Sequence, residues 1–245
     1  MMALEGIRIL DLTRVLAGPY ATMILADLGA DVIKIELPGT GDDSRNFGPY
    51  LHGESAYFMS LNRNKRSMTL NLKSPRGKQI IRELVPLVDV LTENFRPGTL
   101  ERLGLGYETL REINPRLIYA AVSGFGRTGP YSQRPAYDGV VQAMGGVMSI
   151  TGPEDGTPTR VGTSIGDIIA GIFTAIGILS ALAARERTGQ GQVVDVAMLD
   201  CQVAILENAI ARYSVTGEIP RPIGSRHPSV VPIEPFETQD GQLMV

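Results

Sequence analysis

The sequence predicts an α/β fold: a doubly wound, mostly parallel sheet of the Rossmann-like kind. Three observations carry this. Strand-like apolar runs recur at Ile7–Leu12, Asp31–Glu36, Met68–Leu72, Val88–Phe95 and Leu117–Phe125; helical stretches separate them; and a further strand pattern, Gln192–Val196, lies between two helical segments. Helices between strands are what parallel pairing requires, because a parallel neighbour can be reached only by a crossover.

In chain order, Ile7–Leu12 is a buried-strand pattern, Thr13–Pro19 is a loop turning at Gly18-Pro19, and Tyr20–Leu28 is helical up to Gly29. With the strand Asp31–Glu36 this makes a βαβ unit. Ser74-Pro75 supplies a cap and then a proline at the first helical position, opening a helix that runs to Val88. A helical connection over Leu100–Ile113 joins the next two strands, and beyond Gly126 the chain is loop-rich before helices at Val140–Met148, Ile168–Arg185 and Met198–Tyr213. Residues 1–216 read as one large domain. From Gly217 onward five prolines mark a linker, and Thr238–Val245 reads as a turn leading into a strand that has only begun, so residues 217–245 are expected to be a linker and the start of a truncated small domain.

Composition excludes several classes. At 245 residues, 43% hydrophobic and 20% charged, the chain has the make-up of a folded domain and not of a disordered segment. A net charge of -3 gives no overall basic bias toward nucleic acid or anionic lipid. Cys201 is the only cysteine, which leaves no internal disulfide and fits a reducing, cytoplasmic setting, where it reads as a small core hydrophobe. The start, MMALEGIRIL, carries Glu5 and no long apolar core, so it does not read as a signal peptide. Ile168–Ala184 is uncharged but interrupted by Gly171, Thr174, Gly177 and Ser180, and reads as a buried core helix and not a membrane span.

The common chemical motifs are missing. The first loop, VLAGP, lacks the G-x-G-x-x-G dinucleotide fingerprint, although Glu36 ends the second strand where a ribose-binding acid could sit. His52, His227 and Cys201 are too scattered for a metal site, and no G-x-S-x-G elbow occurs. What stands out is Asp167, the lone charge between Arg160 and Arg185. Ser164-Ile-Gly-Asp167 matches a capping box, in which the serine caps the helix and the acid reaches back. Alternatively, the helix dipole and backbone N–H groups keep an exposed carboxylate ionised beside a pocket, with Gly162 and Gly166 permitting a bulky substrate to approach; both readings can hold at once. The basic residues of Asn62–Ser67, with Lys73 and Arg102, are either a solvated face or the phosphate contacts of an anionic ligand.

Four ordered stretches then coincide: LEGIRILDLTRVLAGPYATMILADLGADVIKIE, NRNKRSMTLNLKSPRGK, VLTENFRPGTLERLGLGYETLREINPRLIYAAVSGFGRTGPY and SIGDIIAGIFTAIGILSALAARERTGQGQVVDVAMLD. Together they resemble the class III CoA-transferase family, the group of formyl-CoA transferase, carnitine CoA-transferase and α-methylacyl-CoA racemase, over nearly the whole chain. The resemblance implies a homodimer, interlocked at full length, that moves CoA from an acyl-CoA donor to a carboxylic acid acceptor. Coenzyme A is then substrate and carrier, and neither metal nor redox cofactor is required. Asp167 matches the family's acyl-accepting aspartate, which passes through a mixed anhydride and an aspartyl-CoA thioester. The family's CoA contacts carry over to Leu16 and Ala17; to Leu70, Asn71, Leu72 and Lys73; to Asn94, Phe95 and Arg96; to Arg102; and to Ala136, Tyr137 and Asp138.

There are departures from the family pattern. Leu37 stands where formyl-CoA transferase has an arginine, and no glycine-rich loop occurs near Gly224–Ser229. The racemase pairs its aspartate with a histidine; Tyr137 occupies that position here, which favours transfer over racemisation. A silent truncated fragment that only binds CoA is the remaining alternative. Arg226 is a candidate anchor for a dicarboxylate donor such as succinyl-CoA.

Overall fold

A computed structural model describes residues 2–154 and 156–245. Six parallel strands form one sheet: β1 (Arg8–Asp11), β2 (Asp31–Glu36), β5 (Lys65–Thr69), β6 (Val90–Glu93), β7 (Ile118–Ser123) and β8 (Val193–Ala197), in the order β5-β2-β1-β6-β7-β8. The chain therefore winds outward from β1 in one direction, returns to β6, and winds outward in the other. Two small antiparallel hairpins stand apart, β3 (Tyr50–Leu51) with β4 (Glu54–Ser55), and β9 (Pro235–Thr238) with β10 (Gly241–Met244). The helices are α1 (Ala17–Asp27), α2 (Ala56–Asn62), α3 (Pro75–Leu84), α4 (Thr99–Arg102), α5 (Tyr107–Ile113), α6 (Asp138–Met144), α7 (Val147–Ile150), α8 (Ile165–Thr188), α9 (Met198–Ala204) and α10 (Glu207–Thr216).

Strand alternation builds a core on each face of the sheet. Ile9, Val32, Val90, Ile118 and Val194 pack with Ala21 and Leu25 of α1 and Ala175 and Ile178 of α8. Their neighbours Leu10, Leu91, Tyr119 and Ala121 point the other way, onto Ile81 of α3, Leu100 of α4 and Leu110 of α5. Because both faces are covered, the strands read as nearly continuous apolar runs. α8, with a mean hydropathy of 2.0 over its most apolar window, inserts Ala170, Thr174, Ile178 and Ala181 into the fold.

Two boundaries differ from the sequence reading. α1 starts at Ala17 and not at Tyr20, because a proline in the first turn gives up an N–H that has no helical partner anyway, and Tyr20 already bonds to Leu16 O at 2.8 Å. β5 covers Lys65–Thr69 and not Met68–Leu72. It is an edge strand whose register on β2 pairs Val32 with Lys65 through Glu36 with Thr69; Leu70 N–H makes a last bond to Glu36 O at 2.8 Å, and the strand ends before Asn71 and Leu72. The last residues form both strands of a hairpin where one incipient strand was expected. α10 ends at Thr216, and β9–β10 are the strands that follow it.

Candidate active site

The order in which the chain adds strands reverses between the parallel β1 and β6, and in doubly wound sheets ligands dock at the strand ends beside such a switch point. The two loops leaving it are clasped together. Asn94 Oδ1 accepts the Arg14 N–H at 2.9 Å and Asn94 Nδ2 donates to Arg14 O at 2.7 Å. Beneath the first loop lies a buried charge network. Asp11 accepts from Thr13 N–H (2.9 Å) and from the Thr22 hydroxyl (2.7 Å), and pairs with Lys65 at 3.2 Å. Lys34 pairs with Asp42 at 2.8 Å and donates to Thr13 O at 2.8 Å. Asp42 also accepts from Val15 N–H at 3.1 Å. Val15 needs that restraint, since its φ of 68° is strained for a β-branched residue. So held, the loop delivers Ala17 to the start of α1, facing Asp167.

Asp167 lies in the first turn of α8 and is half-buried. Burial pushes its carboxyl up to about 7, the negative charge of Asp138 pushes the same way, and a backbone hydrogen bond from Ala17 opposes both. This corrects the expectation of an exposed, fully ionised carboxylate. The capping box is also overturned: Ser164 makes no side-chain cap, and Asp138 of α6 does the work by accepting the Gly166 N–H at 2.8 Å. Tyr57 of α2 stands nearby, its phenol raised first by burial and then by the charges of Asp167, Asp42 and Asp138.

Next to this loop a cleft of ≈ 330 Å³ is lined by Leu12–Arg14, by the end of β2, by Leu70, Asn71, Leu72 and Lys73, and by Phe95. Leu37, the departure from the formyl-CoA transferase pattern, also lines it. Thus five of the residues expected to contact CoA share one wall-to-wall space. Leu16 and Ala17 are buried on the Asp167 side of the first loop. Asn94 is half-buried as the clasp, and Arg96 and Arg102 are exposed just beyond Phe95. Among the described residues the side chains of Lys73, Arg96 and Arg102 have no carboxylate partner; Arg102 bonds only Thr99 Oγ1, at 3.1 Å. Lys73 lines the cleft, and Arg96 and Arg102 are the chain neighbours of its lining residues Phe95 and Leu103; uncommitted cations so placed fit an anionic, phosphate-bearing ligand with an apolar body. Ala136 packs against the Val141 and Met198 cluster, and Tyr137 is 82% exposed. Asp138 is 8% exposed, and both of its oxygens already accept hydrogen bonds within the fold.

Other candidates are spent elsewhere. Arg63 pairs with Asp27, Lys65 with Asp11 and Arg66 with Asp31, so the basic stretch that leads into and opens β5 braces the fold. Glu36 is buried and holds Arg45 through two 2.7 Å bonds, which keeps its carboxyl low, at about 2, against the cost of burial. Arg226 pairs with Glu154 and does not line the cleft. Cys201 is buried, and burial raises its thiol to about 11. No group of three or more His, Cys, Asp or Glu among the described residues is placed to hold a metal ion. Sequence reading missed Tyr57, Asp42 and Gln142, none of which sits in a recognisable motif.

A sequence profile of CoA-transferase family III matches residues 4–245. The chain belongs to CoA-transferase family III. Acetyl-CoA:oxalate CoA-transferase of Acetobacter aceti is 53% identical over 242 residues, covering 98% of this chain and 62% of that protein. Succinyl-CoA:glutarate CoA-transferase of Mus musculus is 49% identical over 246 residues, covering 100% of this chain and 56% of that one. Among solved structures, a CAIB/BAIF family protein from Brucella suis superimposes with a TM-score of 0.93 at 42% identity, over 100% of this chain and 66% of that one. This family III chain therefore spans about three fifths of the length of the curated relatives it matches.

Proposed function

We propose that the protein is a CoA-transferase that moves CoA from an acyl-CoA thioester to a free carboxylic acid, with Asp167 as the acyl acceptor. The observation that carries this is the half-buried Asp167 carboxylate facing the Ala17 N–H, at the end of the loop that also walls a cleft lined by Lys73, with Arg96 and Arg102 next in chain to its lining residues Phe95 and Leu103. The relatives' names supply the acceptor class: oxalate, glutarate and, for a Haloarcula marismortui relative 48% identical, mesaconate are all dicarboxylates. We extend that class to this protein.

Catalysis begins with ionised Asp167. One carboxylate oxygen attacks the thioester carbonyl carbon, the C–S bond breaks with its electrons leaving on sulfur, and an acyl–aspartyl anhydride forms. The thiolate returns to the aspartyl carbon, expelling the donor acid and leaving an aspartyl thioester. The acceptor carboxylate attacks that carbon in turn, the C–S bond breaks to release the thiolate and give a second anhydride, and thiolate attack on that anhydride's acceptor carbon frees Asp167. No net proton is consumed. The Ala17 N–H supports the nucleophile and the tetrahedral oxyanion, while Phe95 packs on the carrier and Lys73, Arg96 and Arg102 hold its phosphates. Residues 217–245 lead in this reading into a second domain, and the active protein is a cytoplasmic homodimer.

The test is covalent capture. The whole protein is incubated with a panel of acyl-CoA thioesters, trapped with hydroxylamine or borohydride, and mapped by mass spectrometry with Asp167→Ala as control. Acyl-CoA-dependent modification at Asp167 is expected; a folded, CoA-binding sample without it would overturn the proposal.

A further inference from the structure

Behind Asp167, two side chains one turn apart on α6 hold the whole entry to α8. Asp138 Oδ1 accepts the Gly166 N–H at 2.8 Å, and Oδ2 accepts from Gln142 Nε2 at 2.7 Å and lies 3.4 Å from Arg160 Nη2. Gln142, fully buried, accepts the Val161 N–H at 2.8 Å and reaches Thr163 O at 3.5 Å. Residues 160, 161, 163 and 166 are thereby all tied to α6. Gly166 has to be glycine for this: a Cβ would come within 2.7 Å of Val141 and 3.0 Å of Asp138 Oδ1. Since Ser164 offers no side-chain cap, the first turn of α8 is placed from outside the helix.

We propose that Asp138 is a positioning residue for Asp167: through Gly166 and Gln142 it fixes where the nucleophile's helical turn lies, and its charge, loosely paired with Arg160, stands behind the reacting carboxylate. This rests on the reading of Asp167 as acyl acceptor. The other groups around Asp167 are few. α1 contributes the Ala17 N–H and α2 the phenol of Tyr57, while Arg160 of the entering segment lies against Asp138. Asp138 is the negative charge among them, and like charge opposes ionisation of its neighbour.

The experiment measures the rate of acyl-CoA-dependent modification of Asp167 against pH in the whole protein, in Asp138→Asn and in Arg160→Ala, with thermal melts alongside. Asparagine keeps an oxygen for Gly166 but not the charge, so the midpoint should fall by about one pH unit. Removing Arg160, whose side chain is half exposed, should raise it, because Asp138 is then uncompensated. The opposite signs distinguish this from a merely structural role, and Arg160→Ala keeps the test alive should Asp138→Asn fail to fold. Midpoints that stay at the wild-type value in folded variants would overturn the inference alone; no modification in the wild type would overturn it together with the proposed function.

Discussion

Gly171 of α8 lies against the backbone of Ala17 on α1, so close that an added Cβ would come within 2.7 Å of the Ala17 carbonyl oxygen and 3.0 Å of Tyr20 Cβ. Gly171 is four residues after Asp167, hence on the same helical stripe, and that stripe faces α1. The close approach is what lets the Ala17 N–H meet the Asp167 carboxylate. Gly171→Ala is therefore expected to cost ~1–3 kcal/mol through overpacking and to slow modification of Asp167. Gly162→Ala, with nothing within 4 Å of its Cβ, should leave the melting temperature unchanged. Equal melting temperatures for the two variants would refute this account of the helix contact.

The Asp167 carboxyl also makes a pH-dependent stability prediction. Its folded pKa of about 7 lies above the ordinary 3.8, so between those values the folded protein binds more protons than the unfolded chain. Stability from this group is present at low pH and lost as pH rises through 7. A rise of this size is worth ~4 kcal/mol if fully expressed, and partial solvent access reduces it to about 2 kcal/mol. Asp167→Asn should accordingly raise the melting temperature at pH 8 by several degrees and leave it nearly unchanged at pH 4. The reverse pattern in paired melts would show that the carboxylate is stabilised in its charged form.

The uncommitted cations Lys73 and Arg102 predict a ligand-binding result. Lys73→Ala and Arg102→Ala should each weaken CoA binding by roughly tenfold, with a shallower salt dependence than wild type, as expected for lost charge-assisted contacts to phosphate. Isothermal titration with CoA and with pantetheine separates the cases: affinity for pantetheine, which lacks the nucleotide phosphates, should change little. Unaltered CoA affinity in both variants would move the nucleotide away from this cleft.

Buried and exposed charges should respond differently. Lys65→Met strands Asp11 in the interior and should cost ~3–5 kcal/mol. Arg66→Ala breaks an exposed pair with Asp31 and should cost less than ~1 kcal/mol. Urea unfolding of the two variants checks the contrast, although both residues lie on one short strand.

Where elements were governed by neighbours in sequence, they were legible. The Asp31–Glu36 strand and the Ser74-Pro75 helix start rest on alternation and capping, both local properties. β5 was misplaced because its polar residues, Lys65 and Arg66, find their carboxylates on β1 and β2, which no local pattern records. Leu70 to Lys73 and Phe95, named through a family resemblance, come together around one cleft, whereas Tyr57 and Gln142 carry no motif and went unseen.

By itself, then, the sequence determined the order of strands and helices, the family, and Asp167 as the singular charge at a helix start, because periodicity and composition act over a few residues. The tertiary structure decided which group caps α8, which cations remain free, and how readily Asp167 ionises. Those depend on burial and on pairings between residues far apart in the chain, Asp138 with Gly166 and Ala17 with Asp167, which exist only once the helices have packed.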